Sequence, residues 1–137
     1  MTGFVADASV GAGWVIKNQL SGYSEAARLA LLDEPVHVPA LWWLEMINML
    51  RTGCRRQSIT SAEAYGFIDL LRALPIQTEP QEGKMPQLLS LALRHDLSAY
   101  DASYLDLALR RQLPIATQDA ALHEAALASG VGVWRPA

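Results

Sequence analysis

Short, mostly apolar runs alternate with longer segments of helical period along this chain. The runs Gly3-Phe4-Val5-Ala6, Val36-His37-Val38, Pro75-Ile76-Gln77-Thr78, Leu113-Pro114-Ile115-Ala116-Thr117 and Val131-Gly132-Val133-Trp134 predict five strands. Seven helices are predicted between them. The first covers about 10–18 and the second 21–33, closed by Glu34-Pro35. Pro39 opens a third that runs to about Arg56. Thr60-Ser61-Ala62-Glu63 reads as a capping box for a fourth ending at Leu74. A polar loop follows over Glu79 to Gly83, and Pro86 suits the first turn of a fifth helix ending at His95. Ser98 caps a sixth to about Gln112, and Asp119 a seventh that stops at Gly130.

Short apolar strands alternating with helices imply a mostly parallel sheet covered on both faces. The expected fold is therefore a three-layer α/β/α domain with a central five-stranded sheet. No repeat, low-complexity segment or linker divides the sequence, so residues 1–137 are expected to form a single domain.

Four carboxylates interrupt this apolar pattern. Asp7 follows Phe4-Val5-Ala6, and Glu45 sits between Leu41-Trp42-Trp43-Leu44 and Met46-Ile47. Asp101 lies within Leu97-Ser98-Ala99-Tyr100-Asp101-Ala102-Ser103-Tyr104-Leu105, and Asp119 closely follows Leu113-Pro114-Ile115-Ala116-Thr117. A lone buried carboxylate costs several kcal/mol unless it is paired or coordinates a metal. Four acids tied to four apolar elements suggest a gathering around cations, and carboxylate-only ligands select hard ions such as Mg²⁺ or Mn²⁺. Helix capping is the plain alternative for Asp7 and Asp119, and helix-dipole stabilisation for Asp101. Glu45 has only a buried ion pair as its alternative, because the surrounding helix is apolar all round until Arg51. Asn48, one turn on, can share its side of that helix. Asp33, Asp69, Asp96 and Asp106 are expected to be solvated.

Charge and composition change this picture little. The formal net charge of −3 argues against a simple basic nucleic-acid glove, yet removing the charges of the four acids leaves +1. Cations bound there would stop the site repelling an anionic substrate. A hydrophobic content of 51% leaves room for apolar surface covered by a partner. No apolar run approaches the ~20 residues of a membrane span. The start shows no secretory signal, and the single Cys54 suits a reducing compartment, so a cytoplasmic protein is expected. His37, His95 and His123 have no metal-ligand spacing with Cys54 or one another, no Gly-rich phosphate loop is present, and Ser9 lacks an evident His partner.

The ordered set Val5-Ala6-Asp7-Ala8-Ser9-Val10, Pro39-Ala40-Leu41-Trp42-Trp43-Leu44-Glu45, Tyr100-Asp101-Ala102-Ser103-Tyr104 and Ala116-Thr117-Gln118-Asp119 resembles the PIN domain. More narrowly, it is similar to the VapC-like ribonuclease toxins of toxin–antitoxin pairs. The resemblance implies an acidic pocket of Asp7, Glu45, Asp101 and Asp119 holding one or two Mg²⁺ or Mn²⁺ ions. It also implies hydroxyls at Ser9 and Thr117 that orient ligands or water. The implied activity is endoribonuclease cleavage by metal-activated water, leaving a 5′-phosphate and a 3′-hydroxyl. Arg51, Arg55, Arg56, Arg110 and Arg111 are candidate phosphate contacts. Implied partners are RNA, a cognate antitoxin lying between the third and fourth helices, and a second copy in a homodimer.

Other classes fit less well. A phosphate-accepting receiver domain has an early acidic pair and a late lysine, where this chain has single Asp7 and Thr117-Gln118-Asp119. A haloacid-dehalogenase-type phosphatase has a second Asp where Ser9 stands. A non-enzymatic α/β protein-binding module remains the other class of reading.

Overall fold

The computed structural model describes residues 2–80 and 83–137. Its elements are β1 (Phe4–Ala6), α1 (Ala8–Val15), a 3-10 turn (Lys17–Gln19), α2 (Gly22–Ala30), β2 (Val36–Pro39) and α3 (Leu41–Arg55). They continue as α4 (Ser61–Ala73), β3 (Ile76–Glu79), α5 (Met85–His95), α6 (Ala99–Arg111), β4 (Ile115–Ala116) and α7 (Ala120–Ser129). The strands form one parallel sheet in the order β3-β2-β1-β4.

Local chemistry explains most helix starts. Thr60 accepts from Glu63 N while the Glu63 carboxylate accepts from Thr60 N, which completes the expected capping box of α4. Ser98 accepts from Asp101 N at α6, and Asp119 from Leu122 N at α7. A second box, Ser21 with Ser24, starts α2. Pro39 does not open α3: it closes β2, in register with Glu79, and the helix begins two residues later.

Alternation along β1 builds two cores. Phe4 and Ala6 pack with Ala27 of α2 and with Leu31 just beyond that helix, whereas Val5 packs on the other face with Leu105 and Leu107 of α6. All three side chains are fully buried, as a central parallel strand requires. β3 differs, because it is an edge strand with Gln77 and Thr78 exposed. Its Glu79 accepts from His37 Nδ1 at 2.7 Å and from Arg111 Nη2 at 2.8 Å, tying the edge to β2 and α6.

Two expectations need correction. The sheet has four strands: Val131–Trp134 makes a single parallel bridge, Ile115 to Val133. Gly132 takes φ +81°, which breaks the extended run, and Trp134 turns inward to stack on Phe4 with ring centroids 4.8 Å apart. Asp106 is buried, not solvated, and accepts from Arg110 Nε at 2.9 Å. Residues 102–108 of α6 are buried without a gap because α5, α7 and the sheet enclose this helix. Asp33, Asp69 and Asp96 are exposed as expected, while part of the polar loop over 79–83 lies outside the described residues. Among the described residues no helix is long and apolar enough to cross a membrane.

Candidate active site

β1 and β4 are parallel neighbours, with Ala6 opposite Ala116 and Asp7 N donating to Ala116 O. Asp7 and Thr117 therefore emerge side by side at the carboxyl ends of the two strands, where open α/β sheets place ligands. Both oxygens of Asp7 are engaged. Oδ1 accepts from Ser9 Oγ at 2.6 Å and from Val10 N at 3.2 Å, while Oδ2 accepts from the Thr117 hydroxyl.

Each of those hydroxyls is itself aimed by a backbone donor from the turn after β4. Gln118 N donates to Ser9 Oγ at 2.9 Å, and Asp119 N donates to Thr117 Oγ1 at 3.0 Å. Two relays thus converge on one buried carboxylate, and Ser9 is an orienting group rather than a nucleophile. Asp7 also caps α1, so capping and site formation coexist in this residue.

The other acids come from three different helices. Asp119 caps α7, Asp101 lies in the first turn of α6, and Glu45 stands on α3. Tyr104, one turn beyond Asp101, donates its hydroxyl to Glu45 Oε1 at 2.6 Å. Sequence reasoning missed this role for Tyr104. The available signal was a tyrosine three residues after an acid on an otherwise apolar helix, since a buried tyrosine hydroxyl usually finds a partner.

Repulsion links the acids in pairs: Asp7 with Asp119, Asp101 with Asp119 and Asp7, and Glu45 with Asp101. Burial raises the Asp7 carboxyl above its ordinary value; hydrogen bonds from Ser9, Thr117 and Val10 pull it back, and Asp119 pushes it up. Burial likewise raises Asp101, with Asp119 and Asp7 adding to the rise. Glu45 is raised by burial against the pull of the Tyr104 bond, with a further push from Asp101. Among the described residues no Lys, Arg or His forms an ion pair with Asp7, Glu45, Asp101 or Asp119. The donors are hard oxygens, which suit Mg²⁺ or Mn²⁺. Among the described residues no three Asp, Glu, His or Cys side chains are grouped closely enough to hold a metal ion.

A family model for the PIN domain matches residues 5–127, a span that contains all four acids. The chain belongs to the PIN domain family. PIN domains are typically nucleases and generally use divalent metal ions. Among solved structures, the PIN domain described here is similar to PAE2754 from Pyrobaculum aerophilum, with a TM-score of 0.66 and 21% identity over 89% of this chain and 78% of that one. That likeness is one of fold. No curated protein matches the sequence.

Proposed function

We propose that this PIN domain is a Mg²⁺- or Mn²⁺-dependent endoribonuclease, with Asp7, Glu45, Asp101 and Asp119 as the residues that hold the ion. What supports this reading is the repulsion that couples Asp7, Asp101 and Asp119, and Glu45 through Asp101, with Asp7 at the carboxyl end of β1. Ser9 and Thr117 hold Asp7 in one orientation, and Tyr104 holds Glu45. A bound divalent ion supplies an activated water and neutralises charge on the scissile phosphate. The acids place the ion and need not move protons themselves.

Purified chain incubated with total RNA and Mn²⁺ is expected to produce 5′-phosphate ends. Chelator and Asp7→Asn should each abolish them. Cleavage that survives both treatments would overturn the assignment.

The toxin role is proposed on the surface of α3 and α4. Leu44 is 65% exposed, Ile47 50% and Tyr65 72%, and a cavity of about 240 Å³ lies between Ile47, Cys54, Tyr65 and Ile68. Such a patch suits the apolar face of an antitoxin segment. An antitoxin Arg or Lys reaching Asp7 or Glu45 would compete with the ion for the carboxylates. We propose a cytoplasmic setting, and a homodimer to which the exposed stripe Met85, Leu89 and Leu93 of α5 supplies apolar area. Ile47→Glu is expected to abolish capture by the cognate antitoxin while cleavage persists. Unchanged capture would remove the groove from the account.

A further inference from the structure

α3 has three distinct flanks. Trp42, Met46, Leu50 and Gly53 are buried, and Ile47 and Cys54 line the apolar cavity toward α4. At 100° per residue, Asn48, Met49, Thr52 and Arg56 all fall within about 60° of Glu45, on the third flank. The buried flank packs on α1, since a Cβ on Gly11 would stand 2.6 Å from Cζ2 of Trp42 and 3.1 Å from Sδ of Met46.

Between the segment that follows α1 and the carboxyl-terminal half of α3 lies a cavity of about 310 Å³, lined by Asn18 and Gln19 on one side and Asn48, Met49, Thr52 and Arg56 on the other. Thr52 lies seven residues beyond Glu45, which at 1.5 Å per residue is about 10 Å. An unstacked strand spans roughly twice the ~3.4 Å stacked rise per nucleotide, so this distance is on the order of one to two nucleotides.

The chemistry of the lining is specific in kind. Amide side chains offer both donors and acceptors, as the edge of a base requires. Met49 and Ile16 supply apolar area, and the planar Arg56 guanidinium can stack on a base. Among the described residues none of Asn18, Gln19, Asn48, Thr52 and Arg56 spends its side chain on a hydrogen bond or ion pair within the chain. The volume is at the low end for a ligand pocket, which suits one base with its sugar.

We propose that this cavity is a base-binding subsite for single-stranded RNA, taking one unstacked nucleotide roughly one or two positions from the scissile phosphate. The proposal rests on the nuclease reading above and gives that site a means of choosing its sequence. A strand with one base in the cavity and a phosphate at the acids would be held at two points.

The test uses Asn48→Ala and Arg56→Lys, both at exposed positions, so that melting should stay at the wild-type value. Binding of a labelled single-stranded RNA of randomised sequence is measured by anisotropy with Ca²⁺, on strands checked to be intact. Cut sites are then mapped with Mn²⁺. Each variant is expected to bind about tenfold more weakly. Each should also lose base preference at one position displaced from the cut, while chelator-sensitive cleavage persists. Cleavage with binding and base preference unchanged in both variants overturns the subsite and leaves the nuclease standing; the cavity then suits a protein side chain. Wild-type binding by Arg56→Lys alone overturns base stacking there, because lysine keeps the charge but not the plane. If the wild type cuts nothing yet both variants lose binding, the base site stands and the nuclease reading falls. Absence of both cleavage and any binding difference overturns both.

Discussion

The Tyr104 hydroxyl donates to Glu45 Oε1 at 2.6 Å and so joins α6 to α3 across the acidic rim. Burial, followed by this carboxylate, holds the Tyr104 phenol well above its ordinary value, so it remains a donor at every working pH. Tyr104→Phe should free Glu45 to reorient. Cleavage is expected to fall about tenfold, with a stability loss of about 1 kcal/mol by thermal melting. Unchanged cleavage would show that Glu45 needs no such support.

Unrelieved repulsion among Asp7, Glu45, Asp101 and Asp119 predicts stabilisation by a cation that binds only the folded chain. At a hundredfold excess over Kd, Mg²⁺ or Mn²⁺ should add about 2.7 kcal/mol. The corresponding rise in melting temperature is roughly 8 °C for a domain of this size. Differential scanning fluorimetry checks this, and Asp7→Asn should remove most of the rise. A flat titration in the wild type would count against the metal site.

Asp101 and Asp106 lie on one helix, yet their substitutions should separate chemistry from stability. Asp101→Asn is expected to abolish cleavage and leave the fold intact, because its carboxyl faces the rim. Asp106→Asn should keep most activity and lower stability by about 1–2 kcal/mol, since it disrupts the buried contact to Arg110. Loss of activity in both at equal stability would contradict this division.

Glu79 governs an acid-dependent part of the stability. Burial alone would raise its carboxyl, but the His37 hydrogen bond and the Arg111 charge outweigh this and hold it below the ordinary value. A carboxyl lowered in the folded state contributes stability above the unfolded value, about 4.3 for Glu, that is lost as pH falls through the folded value. Glu79→Gln should therefore melt lower than wild type at neutral pH, and the gap should close below about pH 4. A gap constant down to pH 3 would refute the linkage.

Features set within a few residues were legible in the sequence. The Thr60–Glu63 box, the caps at Ser98 and Asp119, and the short apolar strands depend on neighbours three or four positions away, or on simple burial. The order of the four acids along apolar elements pointed to the PIN family for the same reason: a carboxylate in such a setting requires a partner that folding or a ligand must supply. Helix α3 also showed its character early. Trp42 is fully buried while half-buried Trp43 donates to Thr78 Oγ1 at 2.8 Å, as two residues about 100° apart on one helix must differ.

Tertiary packing decided what depends on distant partners. Thr117 meets Asp7 across 110 positions and Tyr104 meets Glu45 across 59, so no local pattern records either bond. Asp106 reads as a surface charge until α5, α7 and the sheet close around α6 and leave Arg110 as its neighbour. The run Val131–Trp134 has strand-like composition, but pairing needs a long enough edge to pair with. β4 spans only Ile115–Ala116, and Trp134 is held by Phe4 in the core, so one bridge forms where a strand was expected. Composition sets which segments seek burial; the geometry of the partners sets how they find it.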